Sequence, residues 1–102
     1  MTSTVPPAAT VVEVTVVTSP ACHLCEDAQA ALAVLARAYP LEVRLVAAQS
    51  PAGQKLLRQH GSGMFPLVVV DGAFFSAGRL PRRKLERLLA ARPGAPAGVL
   101  GR

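Results

Sequence analysis

Apolar positions recur along this chain with two periods, and the switches between them divide it into seven elements. Val11–Thr18 (VVEVTVVT) is β-branched and nearly all apolar, as suits a strand covered on both faces. Ser19-Pro20-Ala21 ends it, and Pro20 fits the approach to a helix. Leu24, Ala28, Ala31, Leu32, Leu35 and Tyr39 then recur at three- and four-residue spacing, which predicts a helix from about Cys22 to Ala38 with those residues as its buried stripe. Glu26 and Asp27 at its start and Arg37 at its end suit the helix dipole, and Pro40 stops it. Leu41–Ala47 (LEVRLVA) sets Glu42 and Arg44 among apolar residues, the mark of a strand with an exposed side or edge. Pro51 to His60 reads as a short helix with Leu56 and Leu57 inward, broken by Gly61-Ser62-Gly63. Phe65-Pro66 leads into a third strand, Leu67–Val70; Asp71-Gly72 is a two-residue hairpin signal, and Ala73–Ser76 returns. After a turn from Gly78, Pro81 is placed at the first position of a last helix whose apolar side is Leu85, Leu88 and Leu89.

The order is β-α-β-α-β-β-α. A right-handed crossover makes the first two strands parallel, and the hairpin adds antiparallel ones. The prediction is an α/β fold, a four-stranded mixed sheet with helices on both faces. Small residues around Pro6-Pro7 and the Pro93-Gly94-Ala95-Pro96 run predict flexible tails at 1–10 and 93–102, flanking one domain over 11–92.

Composition sharpens this picture. The chain has 102 residues, room for one real core and no second. It is 51% hydrophobic and 17% charged, which excludes disorder of its middle, and with 4% aromatic residues and no Trp the core must be Val, Leu and Ala. The net charge of +5 is concentrated late: Arg79, Arg82, Arg83, Lys84, Arg87 and Arg92 stand against Glu86 alone. No aromatic platform is interleaved with them, so the cluster reads as a solvated face or an attractor of anionic thiols and acidic proteins, and nucleic acid is not an expected partner. No apolar run approaches the ~20 residues of a membrane span, and no basic segment precedes an apolar one as in a secretory leader, so a cytoplasmic protein without membrane partners is expected.

Chemistry enters with Cys22-His23-Leu24-Cys25, which holds the only two cysteines. Two cysteines do not staple a secreted fold. Zinc wants four ligands, and the chain offers these two with His23 and His60. No metal site is therefore assigned, although a metal or iron–sulfur binding module on the same cysteines is one alternative reading. A non-catalytic adaptor that binds through the basic last helix is another. The placement of the pair, at a strand-to-helix junction, favours disulfide exchange. Cys22 at the helix start meets unpaired amides that favour a thiolate, and only the thiolate is nucleophilic. Protonated His23 adds to that effect, while Glu26 and Asp27 oppose it. Cys25, three residues on, lies on the same face within disulfide reach and one turn deeper, so it is expected to resolve a mixed disulfide formed on Cys22.

With these elements the chain resembles a glutaredoxin-like protein of the thioredoxin superfamily. The resemblance is carried by Ser19-Pro20-Ala21-Cys22-His23-Leu24-Cys25, by Met64-Phe65-Pro66-Leu67-Val68-Val69-Val70-Asp71-Gly72 and by the Gly78 turn, and spans roughly residues 11 to 92. It implies a thioredoxin-like fold and a thiol–disulfide oxidoreductase acting on protein or low-molecular-weight disulfides. It implies no bound cofactor, with a small thiol such as glutathione as candidate co-substrate, or a partner reductase, to recycle the dithiol. It also implies a cis Phe65–Pro66 bond facing the cysteines, with the Phe65 backbone pairing with substrate, and a Gly78 turn that lets backbone approach the bound thiol. His23, Phe65, Pro66, Gly78 and Arg79 are accordingly the candidate substrate-binding residues and Cys22 and Cys25 the catalytic ones. The chain departs from the family in having His23-Leu24 between the cysteines where Pro-Tyr is common. It also has Thr18-Ser19 where a Lys is common, and Arg79-Leu80 after the glycine where an acidic residue is common.

Overall fold

A computed structural model describes residues 11–91. The segments expected to be flexible tails, at 1–10 and 93–102, lie outside the described residues, as does Arg92. Seven elements follow in the order expected from the sequence. They are β1 (Val12–Thr18), α1 (His23–Ala38), β2 (Leu41–Ala47), α2 (Pro51–His60), β3 (Leu67–Val70), β4 (Ala73–Ala77) and α3 (Arg82–Ala91). They build one four-stranded sheet in the order β2-β1-β3-β4. β1 and β2 run parallel, from Val12 opposite Leu41 to Thr18 opposite Ala47, and β3 lies antiparallel to both β1 and β4.

The pleat sorts the central strands between two cores, because successive side chains point to opposite faces. Val14, Val16, Val68 and Val70 face one layer, where Ala28, Leu32 and Leu35 of α1 and Leu85 and Leu89 of α3 close over them. Val17, Leu67 and Val69 face the other, with Leu56 and Leu57 of α2 packed against them. Helices thus cover both faces; β3 is apolar and buried along its whole length, whereas β1 is buried at Val12, Val14, Val16 and Val17 and leaves Glu13 exposed and Thr15 half-buried. β2 is an edge strand and shows it: Glu42, Val43, Arg44 and Leu45 are all exposed. Among the described residues no helix is long and apolar enough to cross a membrane.

Local chemistry fixes the connections. Asp71 and Gly72 have φ of 50° and 84°, the paired positive values of a primed two-residue hairpin turn. The Asp71 carboxylate accepts from the Glu13 N–H at 2.9 Å, and the Asp71 N–H donates to the Glu13 carbonyl at 2.8 Å, which ties the hairpin tip to β1. Ser50 caps α2 by accepting from the Gly53 N–H at 3.0 Å.

Several boundary or burial details differ from the sequence reading. Val11 is exposed and outside β1, which begins at Val12, and β4 runs one residue further, to Ala77. Pro81 is not the first helical residue: α3 starts at Arg82, and the Pro81 carbonyl accepts the Leu85 N–H at 3.0 Å from just outside. On α1 the buried stripe is Cys25, Ala28, Ala31, Leu32 and Leu35, with Leu24 only half-buried. A residue one step from Cys25 is turned ~100° around the helix, so Leu24 falls on the flank of the stripe instead of its centre.

Tyr39, at the C-terminal end of α1, is buried, and its phenol is pushed above its ordinary value of 10.0 by that burial and then by the Glu86 carboxylate. The folded state therefore holds this proton more tightly than the unfolded chain. The associated stability is complete below the ordinary tyrosine value and is lost as pH rises through it towards the folded value. In urea unfolding of the oxidised protein across this alkaline window, Tyr39→Phe is expected to lose less stability than the parent. Parallel losses in the two proteins would show that Tyr39 carries no such linkage.

Candidate redox site

The end of β1 aims the chain at α1 through a tight turn. Ala21 within it has φ of 54°, a left-handed conformation that costs a residue with a Cβ about 1–2 kcal/mol. That turn presents Cys22 as the N-cap of α1, with extended backbone at φ −110° and ψ 105°. Its sulfur then takes the part usually played by a serine or aspartate oxygen. The Cys25 N–H donates to Cys22 Sγ at 3.1 Å, while the Cys22 carbonyl accepts from the Glu26 N–H at 3.2 Å. The helix, expected from about Cys22, thus begins one residue later at His23 so that Cys22 can cap it.

Cys22 and Cys25 are joined in a disulfide, with their Cα atoms 5.2 Å apart, inside the usual span of such bridges. Their surroundings differ. Cys22 is half-buried, whereas Cys25 is 2% exposed, so only the first sulfur meets solvent readily. His23 stands 97% exposed, and its Nδ1 lies 4.0 Å from Glu26 Oε1. When protonated it pairs with Glu26, which reduces the charge it lends to Cys22.

The sheet register brings the second group of residues to the same end. Val17 of β1 pairs with Leu67 of β3, so Pro66, one residue before Leu67, falls beside the end of β1 that feeds the cysteine turn. The Phe65–Pro66 bond is cis, Pro66 is fully buried, and Phe65 is half-buried against the Val17–Leu67 core. The Gly78 N–H donates to the Pro66 carbonyl at 3.0 Å, which joins the glycine turn to the proline. Gly78 has φ of 92°, and a Cβ there would stand 3.1 Å from the Met64 methyl, so both backbone and neighbour select glycine. Met64 itself is 59% exposed and lies over this turn.

Arg79 is exposed and reaches a cleft of about 380 Å³ between α1 and α3, whose walls include Leu24, Asp27, Arg82 and Arg83. The structure therefore gathers the candidate residues in two groups about the start of α1: Phe65, Pro66 and Gly78 at the sheet end, and Arg79 in the cleft. Leu24 and Asp27 were not singled out from the sequence as site residues. Their signal was present in the three-residue spacing of Leu24, Asp27, Ala30 and Ala31, Val34, which marks a helix flank that only the position of α3 turns into a cleft wall. His60 lies apart, its ring 6.4 Å from that of Phe74, and takes no part in the site. Among the described residues no group of three or more His, Cys, Asp and Glu side chains is placed to hold a metal ion.

Comparison with solved structures places this architecture. A mutant thioredoxin from Halobacterium salinarum NRC-1 superposes with a TM-score of 0.63 at 19% identity, covering 80% of this chain and 74% of that one. A thioredoxin-like protein from Clostridium perfringens gives 0.64 at 12% identity, with 79% and 70% covered. Mitochondrial thioredoxin 3 from Saccharomyces cerevisiae in its oxidised form gives 0.60 at 17% identity, with 79% and 78% covered. The fold is thioredoxin-like. No protein-family model matches the chain, and no curated protein matches it in sequence.

Proposed function

We propose that this protein is a thiol–disulfide oxidoreductase of the glutaredoxin-like type, with Cys22 as nucleophile and Cys25 as resolving thiol. The observation that carries the reading is the Cys25 N–H donated to Cys22 Sγ, at the start of α1, with Cys25 buried beneath and bridged to it. An amide aimed at a sulfur strengthens when that sulfur is an anion, so the reduced protein holds Cys22 as thiolate more readily than a loose peptide does.

The reaction balances within the dithiol. The Cys22 thiolate attacks one sulfur of a substrate disulfide; that S–S bond breaks, and the first substrate thiolate leaves. The Cys25 thiol gives up its proton and attacks Cys22 Sγ, the mixed disulfide breaks, and the second substrate thiol departs. Two electrons and the one proton of Cys25 pass to the substrate, which leaves as one thiolate and one thiol, and the chain is left with the Cys22–Cys25 bridge seen here. In this scheme the Phe65 backbone, Pro66 and Gly78 line the approach to Cys22 from the sheet end, and His23 and Arg79 flank it from α1 and the turn before α3. The proposed setting is a reducing compartment such as the cytoplasm, where the pair rests as a dithiol.

The glutaredoxin-like subtype means that a small thiol, and not only a dedicated reductase, returns the bridge to the dithiol. It rests on the motif resemblance and is tested by turnover of a small mixed disulfide with and without glutathione and glutathione reductase. Turnover that requires the thiol is expected. Exchange with dithiothreitol but none with glutathione would leave an oxidoreductase of another subtype, and exchange with neither would overturn the function.

A further inference from the structure

Among the described residues no strand pairs with the outer edge of β2. The Val12 N–H donates to the Pro40 carbonyl at one end of this strand, and the Ala48 N–H donates to the Thr18 carbonyl at the other. A strand residue points its N–H and carbonyl to the same side, and the next residue points them to the opposite one. The pairing with β1 runs unbroken from Val12–Leu41 to Thr18–Ala47, so Glu42, Arg44 and Val46 bond towards β1. Leu41, Val43 and Leu45 therefore hold their N–H and carbonyl groups outward. The usual guards of an edge are missing: β2 is seven residues long, with no proline, lysine or bulge, and its two charges are of opposite sign. The other edge strand, β4, is shorter, and a register shift interrupts its pairing with β3.

The side chains along this edge complement a copy of themselves. Val43 and Leu45 are exposed on the α1 side, where with Ala33 and Ala36 they line a shallow apolar groove of about 300 Å³. Glu42 and Arg44 stand exposed on the opposite side, and among the described residues neither has an ion-pair partner. An antiparallel pairing of two β2 strands about a two-fold axis at Val43 sets Val43 opposite the partner's Val43 and Leu41 opposite the partner's Leu45. These are the residues whose backbone groups face outward, so each opposed pair exchanges both hydrogen bonds. The same register sets Glu42 opposite the partner's Arg44, and Arg44 opposite the partner's Glu42, at the intervening positions where side chains approach most closely. The smallest slip that preserves the hydrogen bonds brings Glu42 opposite the partner's Glu42, or Arg44 opposite the partner's Arg44, and is destabilising. Backbone and charge thus select the same register.

We infer that the outer edge of β2 is an interface for a second copy of this chain, joining two copies into one continuous sheet with the Val43 pair at its centre. The axis is perpendicular to the sheet, so both copies keep α1 on the same side and their apolar grooves meet across the seam. Backbone hydrogen bonds supply the attachment, and the Glu42–Arg44 pairs fix the register. The Ala47 end of β2 lies beside Thr18, which leads into the cysteine turn, so the antiparallel arrangement places the two cysteine turns at opposite ends of the seam. The inference is independent of the oxidoreductase reading.

Sedimentation of the full oxidised chain across a concentration series tests it, because the Cys22–Cys25 bridge leaves no thiol to cross-link copies. A monomer–dimer equilibrium is expected. Glu42→Arg and Arg44→Glu each set like charges across the seam and should weaken the dimer by on the order of tenfold. An equimolar mixture of those two variants, one with a basic edge and one with an acidic edge, should recover it, as should the exchanged double variant E42R/R44E. Val43→Pro removes an outward N–H that β1 does not use, so the monomer keeps its sheet while the dimer is lost. In hydrogen exchange the Leu41, Val43 and Leu45 amides should become protected as concentration rises. A chain that stays monomeric up to millimolar concentration overturns the inference, as does a dimer that none of these substitutions weakens. Protection of those three amides that is the same at every concentration also overturns it, and assigns the edge to another segment of the same chain.

Discussion

Replacing Cys22 by serine is expected to bring disulfide exchange down to the uncatalysed rate, while replacing Cys25 by serine lets the reaction begin and then stall. The asymmetry follows from the two environments. Cys22 Sγ is the N-cap atom of α1 and the half-buried member of the pair, so it is both activated and reachable. Cys25 is buried on the face of α1 that packs on the sheet, where an incoming disulfide has no path to it. Cys22→Ser leaves only this inaccessible thiol. Cys25→Ser keeps the attacking thiol and its amide donor, since the donor is backbone, and removes the group that would break the mixed disulfide. Mass spectrometry after incubation with a small disulfide should therefore find a stable adduct on the Cys25→Ser protein and none on Cys22→Ser. Equal adducts on both would refute the assignment of roles.

Replacing Leu85 by alanine is expected to be among the most damaging of the simple core changes. Leu85 is fully buried and, with Leu89, carries α3 into the core that holds Val68, Val70 and Phe75. Its truncation removes apolar contact and leaves a cavity, at a cost of about 3 kcal/mol. For a domain of this size that lowers the Tm by on the order of 15 °C. α3 also carries Arg82 and Arg83, so its loosening should blur the cleft before it disturbs the disulfide, which is attached to β1 and α1. A shift in Tm of only a few degrees on thermal unfolding would contradict the packing described here.

The fold was legible because most of its physical causes are local. The apolar β-branched runs at 12–18 and 67–70 marked the two central strands. The alternation at 41–47 marked the edge, and Asp71-Gly72 marked the hairpin. What was misread depends on angle and context. Leu24 and Cys25 are adjacent, and periodicity alone did not decide which points inward; Cys22 acting as the cap set the phase of the helix. Pro81 satisfies the backbone either inside or just before a first turn, and the hydrogen bond to its carbonyl decided between them. The candidate site was legible in its cysteines, in Phe65-Pro66 and in Gly78, whose residue types carry their own constraints. The cleft was not, because the late arginines meet Leu24 and Asp27 only after the sheet has brought α3 beside α1, and no spacing in the sequence encodes that meeting.

The central claim is that a backbone amide at the head of α1 favours the anionic form of one sulfur while its partner waits, shielded, a turn below. Alkylation of the fully reduced protein with iodoacetamide across a pH series, with each cysteine followed by peptide mass, tests it directly. Cys22 should be modified first, and at lower pH than the same residue in an unfolded peptide, with Cys25 lagging well behind. If both cysteines react at the same pace and with the pH dependence of the free peptide, the capped sulfur has no special character and the account fails.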